Sequence, residues 1–333
     1  MKLAIKKNKL EIMVFFILGV IPFFLDSYYL NNISYFMCWS FISLGLAVIW
    51  GMGGVLSFGQ TAFFGLAGYS FSVISINFLG TTGVGIWSPI LALLITGLFG
   101  LIVGYFLFYG GIYDVFIGIV TLAITLVFET FMQQTAGPEY AIGEARLNGF
   151  NGMQGMPTIG FQDLQFGLLE GVTQYYFILL VAAIILYCLY KFKNSKTGLI
   201  FSATKENRDR VASLGHNVQR VQLIAFVIAS MLAGLSGILY TNWGGYITPS
   251  SMGLVSAALP VVWVAASGKK DFLSVFVGTI FLVWLSQTLA INGAQFAIIA
   301  MGLILVIATL FFPDGIILMI KDKLMKKIKW LQS

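Results

Sequence analysis

Residues 50–61 read WGMGGVLSFGQT and separate two long apolar runs. Four glycines and three polar side chains, those of Ser57, Gln60 and Thr61, interrupt the apolar pattern here. A helix broken at membrane depth is tolerated only where its free backbone groups are buried in protein or line a watery cavity. The stretch therefore predicts a helical membrane protein with a broken helix beside a solute path. Ser57, Gly59, Gln60 and Thr61 are candidate path residues.

The composition of the whole chain agrees with a membrane environment. Of its 333 residues, 59% are hydrophobic and 10% are charged, and the mean hydropathy is +0.92. Soluble domains have about 25% charged residues. A hydrocarbon core of roughly 30 Å needs about 20 apolar residues per helix, so the chain can hold on the order of ten crossings. We expect residues 1–333 to form a single all-α transmembrane domain, with no large soluble part.

Apolar runs between polar breaks give ten candidate spans. They lie near residues 12–30, 35–50, 54–79, 88–109, 112–135, 174–192, 221–243, 252–267, 271–290 and 294–312. Of the 19 lysines and arginines, all except Arg146 then fall on one side of the membrane. Because loops rich in lysine and arginine stay in the cytoplasm, the pattern predicts an even number of spans with both termini cytoplasmic. Such clusters are typical of membrane topology and not of a face that binds nucleic acid.

Two connections and the C-terminal tail are longer than tight turns. The connection predicted to be external, residues 136–173, is rich in glycine and turn residues, which favours an ordered loop. The basic tail, residues 321–333, is expected in the cytoplasm. The cytoplasmic connection, residues 193–220, has apolar positions at helical spacing and predicts a helix over 203–214 that ends at Gly215.

This cytoplasmic helix has two interpretations. Its apolar side would carry Leu199, Ala203, Val211 and Leu214, and its charged side would carry Lys205, Glu206, Arg208 and Asp209. It is either a helix that lies on the membrane surface or a docking element that couples the chain to a cytoplasmic partner. In the second case the candidate coupling residues are Ala203, Glu206, Asn207, Arg208, Leu214 and Gly215.

The chain lacks the sequence motifs of an ATPase or a metalloenzyme. No G-x-x-x-x-G-K-[ST] run occurs, and residues 267–271 lack the upstream glycine and the hydroxyl of that motif. The single histidine, His216, lies in the cytoplasmic connection, which excludes buried metal sites and triads built on histidine. We therefore expect no catalytic site, no metal and no cofactor. Glu129 lies within a predicted span, where a carboxylate costs roughly 2.5–3.5 kcal/mol, so it joins the candidate path residues.

Several stretches together resemble one family. The run GVLSFGQTAFFGLAGY at 54–69 is similar to the signature of the permease subunits of ATP-binding-cassette importers for branched-chain amino acids. The resemblance continues through residues 120–123, 149–153, 205–217, 232–240, 247–249 and 311–315. Two positions depart from it. Gln60 stands where the family often has histidine. Residues 261–270 replace a Gly-Gly-x-Gly run of the family, and the tryptophan at position 263 resembles the sequences of the related urea permeases.

The resemblance implies a division of labour in the bacterial plasma (inner) membrane. The chain would pair with a second, homologous permease, two cytoplasmic ATP-binding subunits would supply the energy, and an extracytoplasmic solute-binding protein would deliver the solute. The implied cargo is a branched-chain or other hydrophobic amino acid, with urea or amides as the alternative. From the residues alone an ion-coupled secondary transporter stays open, although it would need more charge within the spans. A lipid-modifying enzyme would need clustered histidine or carboxylate groups.

Overall fold

The computed structural model describes residues 2–113, 115–160, 171–291, 293–312 and 314–330, and within them the side chains from residue 10 to residue 323 except that of residue 294. The described chain is mostly helical. Its helices are α1 (Lys2–Val20), α2 (Ser27–Leu46), α3 (Gln60–Asn77), α4 (Val84–Tyr109), α5 (Val115–Gln133), α6 (Gly171–Lys193), α7 (Lys196–Glu206), α8 (Arg208–Ser213), α9 (Val218–Gly244), α10 (Leu254–Ser267), α11 (Phe272–Ala290), α12 (Ala294–Phe311) and α13 (Ile316–Trp330). Short strands are β1 (Ala141–Ile142), β2 (Ala145–Arg146), β3 (Met153–Gln154) and β4 (Tyr246–Ile247).

Six helical stretches in the described ranges are long and apolar enough to cross a membrane. They are Ser27–Met52, Val84–Tyr109, Val115–Gln133, Gly171–Lys193, Val218–Gly244 and Phe272–Ala290. The residues of α12 and the first part of α13, bent by 56°, would make a seventh span if the pair is counted as one. The apolar stretches Leu10–Phe23 and Leu254–Ser267 are shorter. The prediction of a polytopic, all-α membrane protein is confirmed at this level.

The first two helices meet at a different place from the one predicted. The apolar run 12–30 is not one helix, because α1 ends at Val20 and a 3-10 turn, Ile21–Phe23, follows it. Pro22 within this turn has no backbone N–H to donate, which favours a helix boundary. Asp26, with φ −66° and ψ 159°, then precedes the first residue of α2. The second helix therefore begins at Ser27 instead of near residue 35.

The core of the bundle forms where α9 packs against α2, α3 and α4. Small residues allow these backbones to approach closely, as is common between helices in membranes. A Cβ at Gly237 of α9 would overlap the backbone of Phe64 in α3. Gly100 and Gly104 of α4, spaced four residues apart, also pack closely on α9, because Gly100 faces Ser230 and Gly104 faces Phe226.

The two ends of the bundle differ in character, and α6 runs from one to the other. The charged end carries α7 and α8 with their lysines and arginines, and the loop end carries residues 136–160. At the loop end β1 pairs with β2, and β3 pairs with β4, both antiparallel. The Asn77 side chain at the end of α3 donates to the Ile142 carbonyl (2.7 Å) and accepts from the Glu144 amide (2.8 Å). The predicted loop is thus tied to the helices, although its residues 161–170 lie outside the described ranges.

The C-terminal helix is attached to the α10–α11 turn at the charged end. Lys321 of α13 forms an ion pair with Asp271 (Nζ to Oδ2, 2.5 Å), and the two side chains are only 10% and 7% exposed. Asp271 also accepts hydrogen bonds from the amide and the hydroxyl of Ser274. A second pair, Lys270 with Asp314, is 2.5 Å long but more than half exposed. The hydrogen bond from Lys270 lowers the pKa of Asp314 from its usual value. The predicted basic tail therefore begins as a helix anchored on the bundle.

Candidate functional site: a helix break and an aromatic cavity

The predicted interruption at residues 50–61 is a break between α2 and α3. The end of α2 widens into a π-helical turn, Ala47–Met52, a feature that often marks functional sites. Gly54 then adopts φ +76°, a left-handed conformation that glycine tolerates and most residues do not. The chain stays irregular until α3 begins at Gln60. Four glycines in this segment thus permit a backbone path that other residues would not follow.

Side chains of α5 hold the break in place. The Thr121 hydroxyl accepts a hydrogen bond from the Phe58 amide (3.2 Å), and the Thr125 hydroxyl donates to the Phe58 carbonyl (3.3 Å). Ser57 accepts from the Gly59 amide (3.2 Å), and a Cβ at Gly59 would press on Thr121. These contacts satisfy backbone groups that the interrupted helix leaves free. Ser57 and Gly59 therefore shape the break itself.

Gln60 and Thr61 begin α3 with buried polar groups. Gln60 is 2% exposed, and neither its amide nitrogen nor its amide oxygen finds a hydrogen-bond partner among the described residues. The Thr61 hydroxyl is fully buried and also lacks such a partner. Buried polar groups are nearly always hydrogen-bonded in stable proteins, so such an exception calls for an explanation, either a bound water or a function. Gln60 and Thr61 therefore suit a solute path, in which a passing solute would transiently supply their hydrogen-bond partners.

Glu129 lies on the same side of α5 as the two threonines. Thr121, Thr125, Glu129 and Gln133 follow one another at intervals of four residues and form a polar stripe along α5. The Gln133 amide donates to the Glu129 carboxylate (3.1 Å), and that carboxylate lies against Gly253 at the start of α10. Glu129 is half-buried and one turn from the end of α5, so it lies near the loop end. The stripe connects the break with the start of α10.

A cavity of about 670 Å³ lies at the loop end between α2, α9, α10 and α11. Its wall is rich in aromatic rings and hydroxyl groups, and none of its lining side chains carries a charge. The lining residues are Tyr35, Trp39, Tyr240, Trp243, Tyr246, Thr248, Ser250, Ser251, Ser256, Leu259, Trp263, Val283, Ser286, Gln287 and Ala290. We call this space the aromatic cavity.

The floor of the aromatic cavity is a set of packed rings. Trp39 stacks on Phe64 with ring centroids 4.8 Å apart, and it meets Trp263 edge-on at 5.7 Å. The indole N–H of Trp263 is buried and has no hydrogen-bond partner among the described residues. Gln60 lies one turn of α3 beyond Phe64 towards the charged end, so the floor separates the cavity from the helix break.

The aromatic cavity was not predicted from the sequence. In the sequence, Trp263 is distinguished only by its departure from a family pattern, and no pattern distinguishes Trp39 and Tyr240 from the other apolar residues. A signal was present, because Tyr35 with Trp39, and Tyr240 with Trp243, are spaced to share one helix face. The predicted path residues Ser57, Gly59, Gln60, Thr61 and Glu129 do not line this cavity.

The charged end carries the predicted coupling residues, but the helix there is not continuous. Asn207 adopts φ −160° and ψ 105° and separates α7 from α8, and its side chain accepts from the Arg210 amide (2.8 Å) as the cap of α8. Asparagine is a favoured N-cap because it can satisfy a free amide in this way. Gly215, with φ +83°, follows α8 as predicted. The single helix predicted over 203–214 is therefore wrong, and its end is right.

The buried side of α7 also differs from the predicted one. Gly198, Phe201 and Thr204 are buried, whereas Leu199 and Leu214 are 59% and 70% exposed. Val211 is the one residue of the predicted apolar side that is buried. Arg208 does not simply face water, because its guanidinium lies 3.7 Å from the ring centroid of Tyr113. We call the exposed residues Leu199, Ala203, Glu206, Asp209 and Leu214 the α7–α8 outer surface.

No group of three or more histidine, cysteine, aspartate or glutamate side chains that could hold a metal ion occurs in the described part of the chain. The described residues form instead the uncharged aromatic cavity, its closed floor of rings, and the polar stripe of α5 beside the helix break. Indole and hydroxyl groups can donate hydrogen bonds, and ring faces attract both apolar groups and cations. Such a chamber can receive a small solute without reacting with it.

Comparisons with known proteins point to transport. The family model described as "Branched-chain amino acid transport system / permease component" matches residues 28–312. The high-affinity branched-chain amino acid transport system permease proteins LivM of Escherichia coli and of Salmonella typhimurium are each 24% identical over 337 residues, which cover 96% of this chain and 77% of the relative. A probable branched-chain amino acid transport permease protein LivM of Methanocaldococcus jannaschii is 23% identical over 239 residues, 69% of this chain and 66% of the relative. No solved structure matches the chain.

Proposed function

The chain belongs to the family of permease components of branched-chain amino acid transport systems, and from this premise we propose that its aromatic cavity receives a branched-chain or similar hydrophobic amino acid. It is the permease subunit of an ATP-binding-cassette importer. The family is one of transport components and not of enzymes. Urea or a small amide is the alternative cargo, and the hydroxyl groups around Ser250 would suit it.

The observation that supports an amino acid is the combination of rings and free donors in an uncharged wall. The faces of Trp39, Tyr240 and Trp263 would pack on an aliphatic side chain, and a ring face would also attract the α-ammonium group. The buried Trp263 N–H could donate to the α-carboxylate. Without a charged partner in the wall, a net-neutral zwitterion is favoured over an anion or a cation.

The path onward would follow the helix break. We propose that the floor formed by Trp39, Phe64 and Trp263 opens towards Gln60 and Thr61, whose unpartnered polar groups would then contact the solute. Ser57 and Gly59 would keep the break in shape, and Glu129 would complete the polar stripe of α5. The solute would exchange contacts from donor to donor, so that no single site holds it too tightly to leave.

A conservative change of one ring tests the cavity. Trp263→Phe keeps an aromatic ring but removes the indole N–H together with the five-membered ring that carries it, and a hydrogen bond to a charged group contributes about 1.5–3 kcal/mol. We expect the initial rate of radiolabelled leucine uptake to fall at least about tenfold, since 1.4 kcal/mol corresponds to a factor of ten. The measurement is uptake into proteoliposomes that contain the purified importer, its ATPases and its binding protein.

Trp284→Phe is the matched control, because Trp284 lies on α11 outside the aromatic cavity and is 47% exposed. This variant should transport leucine as the unmodified protein does. Equal uptake by the Trp263→Phe and unmodified importers would contradict the proposed site. Uptake of urea, without uptake of leucine, by the unmodified importer would assign the cavity to amides.

We propose ten crossings with both termini and the charged end in the cytoplasm. Beyond the six long apolar helices, α1, α3, α10 and α12 would cross as shorter or more polar helices. Of the 18 residues of α3, 12 are buried and none is exposed, so its polar residues need not meet lipid. The lysines and arginines of residues 191–220, 269–270 and 321–323 are at the charged end, which agrees with the bias of positive charge towards the cytoplasm.

Cysteine labelling tests this topology in a Cys38→Ser, Cys188→Ser background. Cysteines at Asn194 and Ser333 should react with a membrane-impermeant maleimide only from the cytoplasm, and one at Glu144 only from outside. Glu144 is preferable to the neighbouring Gly143, whose φ of +63° and proximity to Asn77 disfavour any side chain. Labelling of the Asn194 and Glu144 positions from the same side would rule out the ten-span arrangement.

The two ends of the bundle would bind different partner proteins. We propose that two cytoplasmic ATP-binding subunits bind the importer, one of them on the α7–α8 outer surface, and that a second, homologous permease pairs with this chain. An extracytoplasmic solute-binding protein would contact the ordered loop at residues 136–160, in the bacterial plasma membrane. The whole chain, residues 1–333, would serve as one permease domain.

A further inference from the structure

The buried side of α7 touches the helix break directly. Phe201 is 1% exposed, and its ring lies on the bare backbone of Gly53, where a Cβ would overlap three ring carbons. The Lys205 ammonium donates to the Gly51 carbonyl (3.2 Å), and its aliphatic stem lies beside Gly54. One face of α7 is thus fitted to the glycines that form the start of the break.

The α10–α11 turn holds the same glycines from another side. A Cβ at Gly51 would overlap the Lys269 carbonyl, and the Lys269 ammonium lies 4.6 Å from the ring centroid of Trp50. Burial, together with the neighbouring Lys205 and Lys270, lowers the pKa of Lys269 from its usual value. Residues 50–54 therefore lie between α7 and this turn and contact both.

The far part of the break connects with the predicted path. Phe58 is bonded to Thr121 and Thr125 of α5, and Gln60 begins α3 two residues later. By contrast, α2, α3 and α9 are packed along their lengths through small residues. Packed helices move as bodies, whereas a few irregular residues can absorb large changes in φ and ψ. A displacement of α7 would be taken up first by residues 53–59.

We propose that Phe201 and Gly53 form a joint through which α7 moves the helix break, so that events at the α7–α8 outer surface reach Gln60 and the polar stripe of α5. Phe201 acts as a positioning residue, since it touches neither the solute nor the ATPase. The partner of the ring is a glycine because only a residue without a side chain lets the ring lie directly on the backbone and slide over it. This inference rests on the proposed binding of an ATPase to α7 and α8.

The test measures leucine transported per ATP hydrolysed in proteoliposomes with the complete importer. Gly53→Ala should push the Phe201 ring away, and we expect transport per ATP to fall at least tenfold while the ATPases still co-purify. Phe201→Leu should lower the same ratio several-fold. In the double variant Gly53→Ala, Phe201→Leu, the smaller side chain makes room for the added methyl group, so the ratio should exceed that of Gly53→Ala alone.

Gly302→Ala is the matched control, because a Cβ at Gly302 meets no atom within 4 Å, and it should transport as the unmodified protein does. An unchanged ratio in Gly53→Ala, or in Phe201→Leu if Gly53→Ala does not fold, would overturn the joint. The joint would also be overturned if the fold-reduction of transport per ATP in the double variant equals the product of the reductions in the two single variants. Failure of ATPases to co-purify with the unmodified chain would refute the proposed function itself, which separates the two outcomes.

Discussion

Leu214→Glu is expected to release the ATP-binding subunits from an otherwise intact permease. Leu214 follows α8 and is 70% exposed, so the change should leave the fold of the isolated chain unaltered. In a docked complex the leucine would be buried, which contributes about 1.5–3 kcal/mol. A glutamate at the same place would in addition leave a buried, unpaired charge. A loss of about 3 kcal/mol corresponds to more than a hundredfold in the dissociation constant.

The measurement is co-purification of the ATPases with tagged permease, together with size-exclusion chromatography of the permease to verify folding. Leu214→Ala should give a smaller loss, because it removes methyl groups without adding charge. Asn194→Glu places the same charge at the same end of the bundle but outside the α7–α8 outer surface, so it should retain the ATPases. Full retention by a folded Leu214→Glu variant would show that α8 does not dock.

Asp271→Ala is expected to cause the largest loss of stability. The change leaves the Lys321 ammonium buried without its carboxylate, removes the N-cap of α11 and removes one of the contacts that hold α13 on the bundle. Removing one partner of a buried ion pair typically costs about 3–5 kcal/mol. We therefore expect a marked drop in the thermal midpoint of the detergent-solubilised protein.

A double-mutant cycle separates the contribution of the pair from that of the cap. Asp271→Ala combined with Lys321→Met should be less destabilised than the sum of the two single changes, since no charge is left unpaired. Asp314→Asn is the matched control, because the Lys270–Asp314 pair joins the same two segments but is exposed, and exposed pairs contribute little. Equal midpoints for Asp271→Ala and Asp314→Asn would show that the buried pair does not anchor α13.

Strong, repeated signals made most of the fold predictable. Apolar runs of membrane length and clustered lysines specify a helical membrane protein, because burial in lipid and retention in the cytoplasm act on many residues at once. The break at 50–61 was also predictable from the sequence, since four glycines within a few residues disfavour a regular helix. In the same way, Gly215 was placed correctly at the end of α8.

The parts that were missed depend on single residues or on tertiary contacts. The first helix ends earlier than predicted because of Pro22, and the cytoplasmic helix is divided into α7 and α8 because Asn207 caps α8. Each is a single residue in a run that otherwise favours a helix. The buried side of α7 was assigned wrongly because Phe201 packs on glycines far away in the sequence. The aromatic cavity forms only where α2, α9, α10 and α11 come together, and the aromatic spacing within α2 and within α9 does not show that these helices meet.

The pairing of β3 with β4 has a consequence for biosynthesis. Met153 pairs with Ile247, and α6 to α9 lie between them in the chain. A nascent chain must synthesise all four of these helices, and insert α6 and α9 into the membrane, before β4 exists, so β3 waits without a partner while residues 155–245 are made. Contacts so distant in sequence form slowly, because the intervening chain must first be ordered. Closure of this strand pair is therefore expected to be a late event in the maturation of the protein, after the last turn of α9 has entered the membrane.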